Sequence, residues 1–279
     1  MFGYDEEKLI GSGSFGNVYK VKKGDETYAL KEMNDKGLRD REVRFLKLAD
    51  HPLFPKYIDS FDEGKFYILE EYIWGRPLDE CIIAREGFTQ PECMRMAVGL
   101  ADGIAFLQQS DGNILFRDLK AENIILQPDG EVRLVDLGAA CFLDEAGLSN
   151  AGTKGASAPE QLEGKAPQGM YSDVYAFGRL LYYMLIGKNT PDKNGNFSIL
   201  SEDAGYSASL ELIIRQCTAL DPALRIPDMY TVLTRLIDIA TCTPRQYKKL
   251  EKNAKKILKR SEKMDGSENE VVFSRNVQK

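Results

Sequence analysis

Histidine is almost missing from this 279-residue chain: His51 stands alone, with Pro52 directly after it. Paired-histidine metal sites and histidine-based triads are therefore excluded. Cysteine is sparse and unpatterned, with five residues (81, 93, 141, 217, 242) and no C-x-x-C pair, which argues for reduced thiols and a cytoplasmic setting. Long apolar runs are absent too. The longest, LLYYMLIG at 180–187, is far too short to cross a bilayer, so no transmembrane segment is expected. The opening MFGYDEEK has no apolar stretch of the kind a signal peptide needs. A basic excess is lacking as well: net charge is −6 and pI near 5.2, which disfavours nucleic acid as a partner. The deficit is uneven. From Thr243 to Lys279 there are 11 Lys/Arg against 5 Asp/Glu, leaving 26 basic against 38 acidic residues in the body before it.

What is present is an ordinary globular composition, 43% apolar and 29% charged, enough for one large domain or two lobes sharing a cleft. The first part alternates apolar and polar residues in short strands joined by glycines. Gly11-Ser12-Gly13-Ser14-Phe15-Gly16-Asn17-Val18 lies between two such strands. Glycine there lets backbone N–H groups come close to a phosphate, although a plain hairpin turn has the same pattern. Lys31 ends the apolar strand YALK, and Glu42 lies on a following helix that Pro52 closes; such a pair is often only a surface contact. KFYILEEYIWG, 65–75, reads as a buried strand ending at a glycine, suited to a crossing between lobes. From Thr89 the periodicity becomes helical, with later helices over 172–187, 207–220 and 227–242.

The organising stretch is ILFRDLKAENIILQPDGEVRLVDLG, 114–138. Apolar runs flank Asp118, Lys120 and Asn123 on one loop and Asp136 a hairpin away, with Pro128-Asp129-Gly130 as the turn. Two carboxylates, an amide and an ammonium suit Mg2+ and phosphate: Asn123 and Asp136 offer hard oxygens, and Asp118 is left to orient a hydroxyl. The alternative is a surface hairpin with solvated acids.

In order, GSGSFGNV, YALK, Glu42, FRDLKAEN, DLG, GTKGASAPE, SDVYAFG and Arg225 in DPALR resemble the eukaryotic-like protein kinase family from about Leu9 to Ile239. The resemblance implies an α+β bilobal fold: a β-rich N-lobe over 1–74, an α-helical C-lobe over 75–242 with the ATP cleft between, then a basic helical and flexible tail over 243–279. It implies an ATP- and Mg2+-dependent transfer to Ser/Thr hydroxyls of proteins. In that reading the amides of Gly11–Gly16 cover the phosphates. Lys31, held by Glu42, bridges two of them. Asp118 takes the hydroxyl proton and Lys120 neutralises the γ-phosphate, while Asn123 and Asp136 hold the metal. Val18, Ala29 and Ile125 would enclose the adenine, and the Glu71 carbonyl and Ile73 backbone would bond its edge.

Several positions depart from the family's pattern. Phe116 and Leu137 replace the usual histidine of H-R-D and phenylalanine of D-F-G, yet could stack with Leu46 and Tyr57 into an internal spine. Ala121 replaces a common proline, and Glu70 falls where an apolar residue usually backs the adenine pocket. R-D-L-K and Gly152-Thr153 resemble the serine/threonine branch, and the compact motif spacing resembles bacterial members. Arg117 before Asp118 suggests control by activation-segment phosphorylation, with Ser149, Thr153 and Ser157 as acceptors; Thr153 could equally be an unmodified hydroxyl contacting Asp118. Glu160 with Arg225, and Asp173, are expected to be structural. A partner-docking pseudokinase and a small-molecule kinase remain the competing readings. The basic tail could meet an acidic partner or a membrane surface, and oligomeric state is not legible.

Overall fold

The computed structural model describes residues 3–13, 16–147, 152–164, 166–188 and 206–264. The candidates Ser14, Phe15 and Ser149 and the expected flexible run 265–279 lie outside them. The chain opens with a five-stranded antiparallel sheet in the order β1-β2-β3-β5-β4. Its strands are β1 (Glu6–Gly13), β2 (Gly16–Lys23), β3 (Glu26–Met33), β4 (Tyr57–Asp62) and β5 (Phe66–Glu71). Helix α1 (Lys36–Leu48) interrupts it, and the Asp35 carboxylate accepts the Leu38 N–H at 2.8 Å to cap its first turn. The strand expected over 65–75 stops at Glu71, and Tyr72–Trp74 leaves the ladder as a crossing to the second lobe.

Beyond β6 (Arg76–Pro77) the chain is mainly helical: α2 (Leu78–Arg85), α3 (Gln90–Gln109), α4 (Pro159–Glu163), α5 (Met170–Ile186), α6 (Ala208–Cys217), α7 (Met229–Thr241) and α8 (Pro244–Met264). Between α3 and α4 lie β7 (Ile114–Leu115), β8 (Ile124–Leu126), β9 (Val132–Leu134) and β10 (Cys141–Phe142). The hairpin read from Pro128-Asp129-Gly130 is β8–β9, with Ile124 opposite Leu134. Helix α5 is buried without a break from Ser172 to Tyr182, as expected for a helix that is apolar nearly all round. It anchors a core shared with α1 and α3. Leu46, Phe116 and Leu137 lie in that core and Tyr57 packs on it, so the two departures from the motif pattern keep an apolar packing role.

The basic helix α8 is no detached arm. Ala254 and Leu258 pack with Ala208 and Leu212 of α6. The Glu251 carboxylate accepts the Ala208 and Ser209 N–H groups, both at 2.9 Å, and so caps α6.

Candidate active site

The loop after β7 is held from beneath by one fully buried carboxylate. Asp173 accepts the Phe116 N–H at 3.0 Å and the Arg117 N–H at 2.8 Å, and this fixes Arg117 in the left-handed region at φ +71°. Such backbone is uncommon outside glycine and persists only where its surroundings impose it. The twist delivers Asp118 to the cleft. Its Oδ2 accepts from Lys120 Nζ at 2.7 Å and Asn123 Nδ2 at 2.9 Å, and its Oδ1 accepts from the Thr153 hydroxyl at 3.0 Å. Asn123 ends a single helical turn, Ala121–Asn123, and its Nδ2 also donates to the Asp118 carbonyl.

A second cluster forms where three distant segments meet. Lys31 Nζ donates to both Glu42 oxygens, at 2.7 and 2.8 Å, and to Asp136 Oδ1 at 2.8 Å. Asp136 is again left-handed, at φ +71°, and its Oδ1 also accepts the Gly138 N–H. Lys31 and Glu42 are 7% and 1% exposed, so this pair is no surface contact. Burial alone would lower the lysine's pKa, but Glu42 and Asp136 outweigh it and raise it, keeping the ammonium charged. Burial also pushes the Asp136 carboxyl up; Lys31 and the Gly138 N–H overcome this and hold it below its ordinary value.

The glycine-rich hairpin closes with Gly13 opposite Gly16, and the Ser12 hydroxyl donates to Asn17 at 2.9 Å. Gly16 has φ +147°, and a Cβ there would stand 1.7 Å from the Glu32 carbonyl oxygen, so only glycine fits. Sheet register sets Val18 opposite Lys31 and Ala29 opposite Glu70, which puts Val18, Ala29, Lys31 and Glu70 on one face. Ile125 lies beside the crossing, where Gly75 comes too close to it and to the Leu126 carbonyl to carry a side chain. Ile73 of the crossing is buried, and the Glu71 carboxylate is tied to Arg133 at 2.8 Å. On the outer side Lys20 Nζ lies 3.9 Å above the Trp74 ring and 4.7 Å above that of Tyr72.

Two placements go beyond the sequence reading, and a third, that of Thr153, is one of the two alternatives it offered. Arg117, expected to meet a phosphate, is buried with its Nε on Gln168 Oε1 at 2.9 Å. Thr153 spends its hydroxyl on Asp118, and Ser157 is 5% exposed with its Oγ accepting the Thr153 N–H at 2.8 Å. Arg41 of α1 donates to the Ala140 carbonyl at 2.6 and 3.0 Å, while Phe45 packs on Phe142 at 5.2 Å. That strap between α1 and the segment after Asp136 was missed. An arginine one residue before the paired glutamate was the only signal, and on a helix it reads as solvated.

Glu70 is the outlier in charge. Burial, reinforced by Glu42, raises its pKa from 4.5 to about 8 against the opposing pull of Lys31. The folded chain therefore keeps a proton that the unfolded chain releases above about 4.5, so stability falls as pH rises from there to about 8. Glu70→Gln is expected to flatten that fall and raise the melting temperature at neutral pH. Thermal melts of both proteins from pH 5 to about 9 check it.

The site suits Mg2+. Asn123 directs its Nδ2 at Asp118, which leaves its Oδ1 as a hard donor, and no hydrogen bond of the described residues falls on Asp136 Oδ2. One amide and one carboxylate match an ion that keeps positions for phosphate and water.

A family model described as "Protein kinase domain" matches residues 4–267. The chain is 30% identical over 263 residues to the probable serine/threonine-protein kinase PBL11 of Arabidopsis thaliana, covering 84% of this chain and 66% of that one. It is 35% identical over 256 residues to the serine/threonine-protein kinase Nek1 of Mus musculus, covering 83% and 21%. Against the calcium/calmodulin-dependent protein kinase type 1 of Caenorhabditis elegans it is 28% identical over 198 residues, covering 66% and 56%. The chain thus spans between 21% and 66% of the length of these relatives.

Proposed function

The chain belongs to the protein kinase family, on its serine/threonine side, and from that premise we propose that it is catalytically active, moving the γ-phosphoryl group of ATP to Ser/Thr hydroxyls of proteins. The observation that carries this is the buried Lys31–Glu42 pair reaching Asp136, because a docking scaffold has no need to keep an ammonium desolvated in the cleft. Lys31 neutralises phosphate oxygens from a position fixed by Glu42, with little reorganisation left for the moment of transfer. The glycine hairpin offers backbone N–H groups above them. Asp118 aligns the acceptor hydroxyl and takes its proton on a carboxylate oxygen as the bond to the departing ADP breaks. Lys120 lies 2.7 Å away to balance charge. Asn123 and Asp136 would hold Mg2+, which when bound offsets the negative charge of the phosphates.

With the Thr153 and Ser157 hydroxyls engaged inside the protein, Ser149 is the activation-segment acceptor we propose for autophosphorylation. A cytoplasmic setting is supported by five cysteines that are all free, four of them buried. Compact motif spacing supports a bacterial member, and the Lys/Arg-rich α8 supports contact with an acidic partner.

Asp118→Asn tests the reading. Intact mass after incubation with Mg-ATP, beside phosphate transfer to a generic Ser/Thr protein, is expected to show a loss of about 10²–10⁴-fold in the variant. Absence of transfer in the wild type, with Mg-ATP still raising its melting temperature, would instead favour a docking scaffold.

A further inference from the structure

Helix α8 divides its side chains sharply between the protein and solvent. Tyr247, Leu250, Ala254, Ile257 and Leu258 are buried or half-buried, with Ala254 and Leu258 packed on α6. Eight Lys/Arg stand from Arg245 to Arg260, and all are exposed. At about 100° per residue they project within about 80° of the direction opposite Ala254, along roughly 22 Å of helix. The one acid in that stretch, Glu251, turns inward to cap α6. Arg245, Lys248, Lys252, Lys256, Lys259 and Arg260 make no hydrogen bond or ion pair among the described residues. Lys248, Lys252, Lys256 and Arg260 follow one another at i,i+4, a spacing at which like charges repel and destabilise a helix. No acid on that face relieves them.

We propose that the exposed face of α8 docks the protein on a membrane surface rich in acidic lipid. This rests on the acidic contact drawn above for α8 and gives it a chemistry, and it is independent of catalysis. The face is straight and convex, and from Arg245 to Arg260 it exposes no aromatic or aliphatic side chain to seat in a protein pocket. Most of its cations are lysines, hydrated point charges rather than the planar fork that selects one partner group. Duplex nucleic acid takes a helix into its groove, which would press phosphates toward a body with 38 acidic against 26 basic residues. A plane met along the outside of α8 instead leaves that body about one helix diameter away, roughly 10 Å and beyond the ~8 Å screening length of physiological salt. Since α6 takes the apolar face, no side chain is left to enter the acyl layer, and the contact is one of headgroup charge.

The test is co-sedimentation of the full chain with vesicles of phosphatidylcholine, alone or mixed with phosphatidylserine, over a range of salt. Wild type is compared with a variant carrying Lys248→Gln, Lys252→Gln, Lys256→Gln and Lys259→Gln, in which glutamine keeps the helix propensity of lysine. Wild type is expected to bind the mixed vesicles only, and to leave them steeply as salt rises. The variant is expected to partition at least about a hundredfold more weakly, while its melting temperature holds or rises because like charges are gone. Equal partition of the two proteins, or binding to phosphatidylcholine alone, would overturn the proposal. Polyglutamate and duplex DNA are run in the same buffers. A wild type that ignores the vesicles but binds either polymer would overturn the lipid partner and leave an acidic one, and one that binds none of them would overturn the acidic contact itself. Phosphate transfer to a soluble protein is read separately, so an inert enzyme would count against the catalytic reading and not against this one.

Discussion

Lys31→Met is expected to lower phosphate transfer by roughly a hundredfold to a thousandfold, the scale seen when one preorganised charge donor is removed from a water-poor site. Methionine matches the stem in length and removes only the ammonium, so the packing of β3 against β5 survives. What changes is the balance around Glu42 and Asp136, which lose their shared counter-charge. Burial then acts on Glu42 with no cation against it, and on Asp136 with only the Gly138 N–H and Lys120 against it, so both pKa values rise. The sign of the pH effect follows. In the wild type, Asp136 is held below its ordinary 3.8, so its share of stability is present above about 3.8 and is lost as pH falls through the lowered folded value. In Lys31→Met that acid-side loss is expected to shrink, because the largest of the influences that lower the Asp136 pKa is gone. Steady-state transfer assays and acid unfolding curves check the two parts separately. A variant within threefold of wild-type turnover would remove Lys31 from the chemistry.

The largest effect on stability is expected at Arg225. Its side chain is fully buried against Glu160, with parallel bonds of 2.6 and 3.0 Å. The guanidinium also donates to the carbonyls of Ala219, Leu220 and Tyr171 and lies 4.8 Å from the Tyr175 ring centre. Every polar hydrogen has a partner, which is why so dry a charge can be carried at all. Arg225→Ala leaves Glu160 charged in the interior and three carbonyls unmet, and is expected to cost about 3–5 kcal/mol. Replacing Arg225 and Glu160 together with apolar residues of similar volume is expected to recover much of that loss, because both desolvation penalties then vanish. Urea unfolding of wild type, single and double variants tests this. A single variant within about 1 kcal/mol of wild type would show that the pair contributes little.

Much of this was legible in the chain because local chemistry and global fold agree. Asp118, Asn123 and Asp136 sit on a hairpin whose turn is written in Pro128-Asp129-Gly130, so their convergence needed only short-range geometry. Lys31 and Glu42 are 11 residues apart, and their pairing with each other and with Asp136 was readable only through family resemblance. Where sequence reasoning failed, the cause was long-range. Helix α2 is eight residues with two acids in its first turn, and it shows little periodicity of its own. Strand β5 stops at Glu71 because the crossing leaves the sheet there, although YIWG continues the apolar pattern. Arg117 pairs with Gln168, 51 residues away, a partner that no spacing rule nominates. Thr153 could be read two ways until its hydroxyl was seen on Asp118.

The crossing between the lobes also carries an optical consequence. The chain has a single tryptophan, Trp74, 55% exposed and roofed by the Lys20 ammonium from β2. Light absorbed only by indole therefore samples one place, one residue beyond Ile73, with no label attached. A nucleotide seated against the crossing, or a shift of β2 that lifts Lys20 from the ring, alters the field around that indole and so its emission. The wild-type chain is thus its own titration signal, and every variant described above can be followed by fluorescence unless it touches Lys20, Tyr72 or Trp74.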